Sequence, residues 1–464
     1  MHYPASDLVI DPVLIRKYDV SGPRYTSYPT ADRFVEAFGE AELRQWHAKR
    51  NIGGFSQPLS VYVHLPFCDT VCYYCACNKV ATRDKSQSAQ YIKYLEKELA
   101  LLEPSLDGVQ PIGQMHWGGG TPTFLARDEI QALMVSIERR FRRQPDCECA
   151  IEIDPRTSPP GTMAFLADLG FNRASLGVQD FDAQVQKAVH RIQSEEQTRR
   201  VAGEARAAGF RSLNVDLIYG LPKQTLNSFD RTLDQVIALD PDRVALYNYA
   251  HLPTIFKPQR RIVAADLPGA ESKLQILSLA IGRLTRAGYL YIGMDHFARP
   301  DDELALAQSQ GRLQRNFQGY STRRGSDLIG LGVSAIGSIG PTYYQNEKRL
   351  EDYYGELDAG RLPVTRGLEL TPDDLVRRAV IQGLACHFRL SIESVELSYL
   401  VDFKKYFAPE MDMLRRLEAE GLVELQDDWI VVTPKGRLLV RLVCAVFDRY
   451  LRERQARAEY SKVI

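Results

Sequence analysis

Four cysteines fall within one short run, Phe67-Cys68-Asp69-Thr70-Val71-Cys72-Tyr73-Tyr74-Cys75-Ala76-Cys77. Cys68, Cys72 and Cys75 have the spacing Cys-x3-Cys-x2-Cys. Three thiolates so placed can wrap one iron–sulfur cubane and leave its fourth iron without a protein ligand. An open iron is a site for a small molecule. Cys-x2-Cys also occurs in zinc ribbons, but structural zinc normally takes two ligand pairs, and no second Cys-x2-Cys or His pair lies at ribbon distance. Cys77 could be a fourth ligand, or a redox or structural thiol; spacing does not decide. A second chemical element is the turn His116-Trp117-Gly118-Gly119-Gly120-Thr121, whose glycines let backbone approach a ligand, with N–H groups offered to a carboxylate.

These residues need a scaffold, and from about residue 60 to 250 one rhythm supplies it. Strand candidates at 60–67, 113–119, 149–155, 173–179, 212–222 and 243–253 alternate with helical stretches at 88–103, 127–141, 194–209 and 229–239. Six alternating units imply a parallel α/β sheet with crossover helices, curled into a partial or full barrel. Chemistry in such folds gathers at the carboxyl ends of the strands. His64, Gly118 to Thr121, Glu152, Gln179, Asp216 and Tyr247 to His251 all fall there.

The chain has 464 residues, 45% hydrophobic and 25% charged, with 58 Lys+Arg against 59 Asp+Glu and a formal net charge of −1. That length allows a large catalytic domain plus smaller parts, and the charge balance argues against nucleic-acid binding by bulk electrostatics. No apolar run approaches the roughly 18–20 residues of a membrane span, and the start MHYPASDLVIDP lacks a basic n-region and an apolar h-region, so a cytoplasmic protein with no membrane partner is expected. The separated Cys147, Cys149, Cys386 and Cys444 read as buried thiols, and no disulfide is needed. The division expected is 1–59 as an N-terminal substrate-closing segment, 60–365 as the barrel, and 366–464 as a helical, winged-helix-like domain with balanced charge and a lid or packing role. Ser21 to Thr30, with two prolines and a glycine, should be irregular. No exposed heptad argues for oligomerisation, so a monomer is expected.

Together, the cysteine triad and the GGGTP turn resemble the radical S-adenosylmethionine superfamily. Within it, the chain resembles the oxygen-independent coproporphyrinogen III oxidases nearly end to end, through SGPRYTSYPT, YVHLPFC, HWGGGTPT, IEIDPR, GVQDF, NVDLIYGLPKQT, NYAHLPTIF, GMDHFARPDDELA, RNFQGY, GVSAIG and TPKGRLL. It departs from their pattern at Ala76 and His190, where Gly and Asn are usual, neither of them a cluster ligand. The resemblance implies a radical-SAM partial (β/α)6-type barrel with an N-terminal extension and the smaller C-terminal domain. It also implies one 4Fe–4S cluster on Cys68, Cys72 and Cys75, whose open iron is chelated by S-adenosylmethionine. Tyr62, Gly119, Glu152 and Ile336 match the site of that cofactor. Tyr74, Gly120, Thr121, Gln179, Arg191, Asp216 and Ala250 match a second S-adenosylmethionine site, making two molecules. Carboxylates such as Glu152 and Asp216 suit ribose hydroxyls or ammonium groups, and Arg191 suits a carboxylate.

The reaction so implied begins with one electron from an external donor, such as a flavodoxin or ferredoxin, and a 5′-deoxyadenosyl radical. The radical takes a β-hydrogen from a propionate, which then loses carbon dioxide and an electron to become a vinyl group. Two propionates of coproporphyrinogen III react, giving protoporphyrinogen IX for haem biosynthesis. A tetracarboxylate must be met locally by a chain of near-zero charge, and Arg24, Arg299 and Arg315 are the candidates. Phe317 and Gln318 are further substrate or closure residues, His64 a cluster-neighbouring or proton-handling residue, and Cys77 a catalytic thiol. The alternative is a haem chaperone-like relative that binds haem without decarboxylating anything.

Overall fold

The structure, a computed structural model, describes residues 8–18, 22–50, 58–106 and 108–453. Six parallel strands lie side by side in chain order: β1 (Leu59–Leu65), β2 (Gln110–Gly119), β3 (Phe141–Ile153), β4 (Arg173–Gln179), β5 (Ser212–Tyr219) and β6 (Arg243–Asn248). Five of the intervening helices are α1 (Ser86–Leu102), α2 (Arg127–Glu138), α3 (Thr162–Asp168), α4 (Glu195–Ala207) and α5 (Leu226–Leu239). In β1 every residue but Tyr62 is buried, the signature of a parallel strand covered on both faces. The helices begin on side-chain caps where the sequence allows: Ser194 caps α4 and Thr225 caps α5, each accepting the N–H three residues on.

The sheet is wider than the six expected strands. Beyond β6 come β7 (Leu290–Gly293) and β8 (His296–Ala298), antiparallel, while β9 (Leu328–Leu331) adds in parallel on the other side of β1. Antiparallel β10 (Ile336–Ile339), β11 (Thr342–Asn346) and β12 (Val364–Glu369) complete the order β12-β11-β10-β9-β1-β2-β3-β4-β5-β6-β8-β7. β12 runs through residue 365, so the sheet continues past the expected domain boundary. β3 starts at Phe141, well before Cys149, because α2 stops at Glu138 and the polar run after it is extended.

After β12, helices Pro372–His387, Ile392–Tyr399 and Ala408–Ala419 precede a wing in which Trp429–Val432 pairs with both Arg389–Ser391 and Val423–Leu425. This is the helix-helix-wing pattern read from the sequence. It shares one hydrophobic core with the barrel, where Phe388 stacks on Tyr291 at 6.1 Å. Residues 22–30 are irregular and are held at this junction: the Arg441 guanidinium donates to the carbonyls of Gly22 and Pro23, and the Tyr25 hydroxyl bonds Asp448 at 3.1 Å. No described helix is long and apolar enough to cross a membrane.

One buried carboxylate ties the β9 side of the sheet to α1. Glu98 accepts from Tyr353 Oη (2.7 Å), the Gly332 N–H (2.7 Å) and Asn346 Nδ2 (2.6 Å), while Tyr91 bridges the Val333 N–H and the His64 carbonyl. Burial pushes Glu98 up to about 7, against the lowering effect of its three donors. Its folded pKa lies above the unfolded value, so its contribution is fully present below about pH 4.5 and is lost as pH rises through 7. Glu98→Gln removes that dependence. Thermal unfolding at a series of pH values should therefore show the variant gaining on the native chain by on the order of 3 kcal/mol between pH 4.5 and 8.

Candidate active site

The cysteine loop is closed by a two-residue parallel ladder in which Phe67 and Cys68 pair with Val80 and Ala81. Its position is set by the glycine turn. The N–H of Gly120 donates to Leu65 O and that of Thr121 to Phe67 O, both at 2.8 Å, and the Gly119 N–H donates to Glu152 Oε2 at 3.1 Å. These three N–H groups are thus already engaged, which corrects the expectation that they are offered to a ligand. The glycines serve close approach: a Cβ on Gly120 would lie 2.6 Å from the Pro66 and Phe67 backbone, and one on Gly118 would lie 2.6 Å from Glu152 Oε1.

Below the loop, at the carboxyl ends of β3 to β6, lies a cavity of about 330 Å³. Its walls carry Cys68, Cys72, Cys75, Cys77, Tyr74, Gly119, Gly120, Thr121, Glu152, Gln179, Arg191 and Asp216, together with Asp154, Arg156, Ser175 and Tyr247. Side chains from four strands meet the β1 loop here, so the sheet curls around its site. Tyr62 lies behind this wall, stacked on His116 at 5.8 Å, and His116 bonds Glu152 at 3.3 Å. Ala250 sits in the loop after β6, where its carbonyl accepts from Gln259. Ile336, at the start of β10, packs with Phe34, Phe317 and Tyr343 away from these walls.

Charge is arranged in this cavity with specific partners. Burial would raise the Glu152 pKa, but the His116 ring and the Gly119 N–H outweigh it and hold the carboxyl below its ordinary range. Asp154, also buried, is held low by the guanidinium groups of Arg191 and Arg156. Both of those reach the Cys72 sulfur, Arg156 Nη2 at 3.6 Å and Arg191 Nη1 at 3.7 Å. Asp216 accepts from Ser175 (3.0 Å) and Asn214 (2.9 Å), and burial, aided by the Glu152 charge, pushes it up to about 6. Cys77, beside Cys75, holds that thiol down at about 6, with the Lys79 ammonium reinforcing it. Two buried polar atoms in the walls, Gln179 Oε1 and Arg191 Nε, have no partner, as expected of groups that meet a ligand.

His64 is a strut. Its Nε2 faces the Asn78 carbonyl at 2.9 Å and must carry the proton, so Nδ1 accepts from Tyr62 Oη at 3.0 Å, and the ring packs against Gly119. It neighbours the cysteine loop but has no free nitrogen for moving protons, contrary to the second half of its expected role. His190, the departure noted before Arg191, occupies a left-handed turn (φ 55°), bonds the Val71 carbonyl at 2.9 Å and stacks on Tyr73 at 5.0 Å.

Past Tyr247 lies a second group of candidates. Arg24 sits over the Tyr247 ring at 5.6 Å and pairs with Asp295 at 2.9 Å, and Arg315 Nε donates to Arg24 O at 3.2 Å while its buried Nη1 has no partner. Phe317 packs between Phe34 and Tyr343, and Gln318 Nε2 is buried without a partner. Arg299 does not join them. It bonds Asp240 and the Ala287 carbonyl and covers Tyr289, at the amino end of β6, on the opposite side of the sheet from the cavity.

Asp154, Arg156 and Asp295 were not singled out as site residues from the sequence, and Tyr247 was noted only as a strand-end position. The IEIDPR motif did contain the first two, but nothing in residue type says that one carboxylate orients two guanidiniums onto a sulfur.

The Radical SAM superfamily profile matches residues 62–236, and the HemN C-terminal domain profile matches residues 370–439. The chain is 53% identical over 456 residues to the oxygen-independent coproporphyrinogen III oxidase of Pseudomonas aeruginosa, covering 98% of both chains. It is 49% identical over 454 residues to that of Escherichia coli, again covering 98% of both. Among solved structures, coproporphyrinogen III oxidase (HemN) from Escherichia coli superimposes with a TM-score of 0.90 at 47% identity, over 96% of this chain and 100% of that one. This chain belongs to the oxygen-independent coproporphyrinogen III oxidase family.

Membership of this radical SAM family implies a 4Fe–4S cluster and S-adenosylmethionine. The residues present fit them. The three thiols of the Cys-x3-Cys-x2-Cys run are free of disulfides and border one cavity, which also presents the orphaned atoms of Gln179 and Arg191.

The close passage of the glycine turn over the cysteine loop gives a direct test. In Gly120→Ala the new methyl meets backbone that cannot move aside, so a stability loss of about 1–3 kcal/mol is expected. Iron retained after reconstitution should fall with it. Thermal unfolding and iron analysis check this, and a variant with native stability and iron content would mean the turn does not set the loop.

Proposed function

We propose that this chain converts two propionate side chains of coproporphyrinogen III to vinyl groups without oxygen, giving protoporphyrinogen IX in haem biosynthesis. The observation that carries the reading is the shared position of Tyr247: it lines the thiol-bordered cavity on one side and lies under Arg24, beside the incompletely satisfied Arg315, on the other. Full-length similarity to relatives bearing the oxidase name supports it, and nothing in the structure favours the haem chaperone reading.

In this reading Cys68, Cys72 and Cys75 hold one cluster, supported by their common wall. Tyr62, Gly119, Glu152 and Ile336 hold one S-adenosylmethionine, and Tyr74, Gly120, Thr121, Gln179, Arg191, Asp216 and Ala250 hold a second; the reading is supported by the place of Gly119, Glu152, Tyr74, Gly120, Thr121, Gln179, Arg191 and Asp216 in the wall of the thiol-bordered cavity. When bound, the reduced cluster and S-adenosylmethionine supply a 5′-deoxyadenosyl radical, with the electron drawn from a carrier such as a flavodoxin or ferredoxin.

The protein's own part is placement. Arg24 and Arg315 take substrate carboxylates, Arg24 by exchanging its Asp295 partner for a propionate. That seats a propionate β-carbon near Tyr247. Loss of a hydrogen atom from that carbon, cleavage of the bond to the carboxylate as carbon dioxide, and departure of one electron to an external acceptor leave the vinyl group. Residues 22–30 and the C-terminal domain close over this side and keep water out.

Anaerobic incubation with coproporphyrinogen III, S-adenosylmethionine and dithionite should yield the divinyl product, and stable haem binding without any vinyl product would overturn the assignment. Cys72→Ser should lose the cluster absorbance and turnover together. Arg315→Met, removing a charge-assisted contact worth ~1.5–3 kcal/mol, should raise KM for the porphyrinogen by about 10- to 100-fold. Arg299→Met, on the opposite side of the sheet, should leave KM unchanged.

A further inference from the structure

The cysteine loop has an outer face as well as an inner one. Outside it lies a recess of about 270 Å³ that shares Cys75, Cys77 and Lys79 with the cofactor cavity, so the loop is a single wall between the two. The recess is otherwise bordered by Val71, Ile255, Phe256, Lys257 and Pro258. Ile255 is 51% exposed, an isolated apolar side chain at the rim.

The charge around this recess is of one sign. The short 3-10 helix Lys257–Arg261 (Lys-Pro-Gln-Arg-Arg) carries three exposed cations, and Lys79 faces them across the loop. Lys79 donates to the carbonyls of Cys75 (3.3 Å) and Cys77 (3.5 Å), Arg260 donates to Pro253 O (2.9 Å), and Arg261 covers the Tyr73 ring at 5.3 Å. None of the four forms an ion pair with a described residue, whereas arginines elsewhere, such as Arg243 and Arg377, are matched to carboxylates.

This cationic helix is also fixed to the cysteine loop. Gln259, 1% exposed, donates to the carbonyls of Tyr74 (3.1 Å) and Ala250 (3.2 Å) and accepts from the Leu252 N–H (2.6 Å). Tyr74 lies between Cys72 and Cys75, so a surface that grips Lys257 to Arg261 is held in register with the cluster-binding loop.

We infer that this face is the electron entry point, a docking surface for an acidic one-electron carrier protein that delivers electrons through the Cys75 edge of the loop. A surface of like charge with one exposed apolar side chain beside it suits a transient redox encounter, where electrostatic steering sets the association rate and little area is buried. Entry from outside leaves the inner cavity free for S-adenosylmethionine and substrate. The inference rests on the function proposed above, since it presumes a cluster at Cys68, Cys72 and Cys75 that must be reduced.

The test follows bleaching of the cluster absorbance by stopped flow in the reconstituted full-length protein. One arm uses reduced flavodoxin, an acidic carrier, and the other uses dithionite, which needs no docking surface. The doubly substituted Lys257→Glu, Arg261→Glu protein should be reduced by flavodoxin at least 10-fold more slowly, with the fall of rate with salt flattened, while the dithionite rate and the dithionite-driven vinyl yield stay at native values. Lys257→Gln should give an intermediate flavodoxin rate. Equal flavodoxin rates in native and doubly substituted proteins, or a native rate insensitive to salt, would overturn the docking surface. Absence of vinyl product in the dithionite arm of the native protein would instead defeat the proposed function, and the reduction rates would still be readable.

Discussion

The two hydrogen bonds from Gly120 and Thr121 to the carbonyls of Leu65 and Phe67 fix the distance on which the site depends. The cysteine loop is otherwise tethered by a ladder of two residue pairs and by single bonds to Val189, His190 and Gln259, too few regular pairings to give it a geometry of its own. Bonding its entrance to the end of β2 transfers the rigidity of the sheet to it. Residues 118–120 must be glycine for this, because the neighbouring strand end and Glu152 fill the space a side chain would take. The same N–H groups that hold the loop are then unavailable to a ligand, and recognition falls to side chains on β3 to β6. Structural and chemical duties are thereby divided between adjacent strands.

A second constraint is the handling of charge away from water. The formal net charge of −1 hides a cavity where one carboxylate, Asp154, is shared by two guanidiniums that both reach the Cys72 sulfur. A buried pair is costly to break because the survivor is left uncompensated, so Asp154 keeps Arg156 and Arg191 in place even before a cluster supplies negative charge. Hydrogen bonds to sulfur from cations stabilise the more negative, reduced state of such a cluster and so raise its potential. Arg315 is treated differently: it is buried, forms no ion pair with a described carboxylate, and leaves Nη1 without a partner, so a ligand carboxylate could complete it.

Glu152, Gln179 and Asp216 were legible in the sequence because parallel strands announce themselves as apolar runs, and a polar residue at the end of each stands out against them. The winged C-terminal region was legible for a similar reason, its helices and wing keeping separate periodicities. β7 to β12 were not. Segments such as His296–Ala298 and Ile336–Ile339 are only three or four residues long, too short for any period to show, and they become strands because β6 and β9 offer them edges. The arginines defeat sequence reading more thoroughly. Arg299 and Arg315 occur in neighbouring motifs and look alike, yet antiparallel β8 delivers Arg299 to the amino end of β6, while the helix Glu303–Ser309 intervenes before Arg315, which reaches the side of Tyr247. Which end of a sheet a loop residue reaches depends on the return path of the chain, and that path belongs to the tertiary fold.

The loop's thinness links these constraints. Cys75 and its neighbour Cys77 face both the cofactor cavity and the outer recess, so at this edge a residue that would hold a cluster is part of a single wall between the two. A thicker wall would protect a reduced cluster better but would lengthen the path an electron must cross. The structure meets both demands by layering the outer side with Gln259 and the Lys257–Arg261 helix, which stiffen the loop through the Tyr74 carbonyl without covering Cys75. Inside, Arg156, Arg191 and Thr121 engage the Cys72 and Cys68 sulfurs. Of the three thiols of the triad, Cys75 alone also borders the outer recess, and that asymmetry makes one edge of the site the natural route for charge while the opposite side is reserved for chemistry.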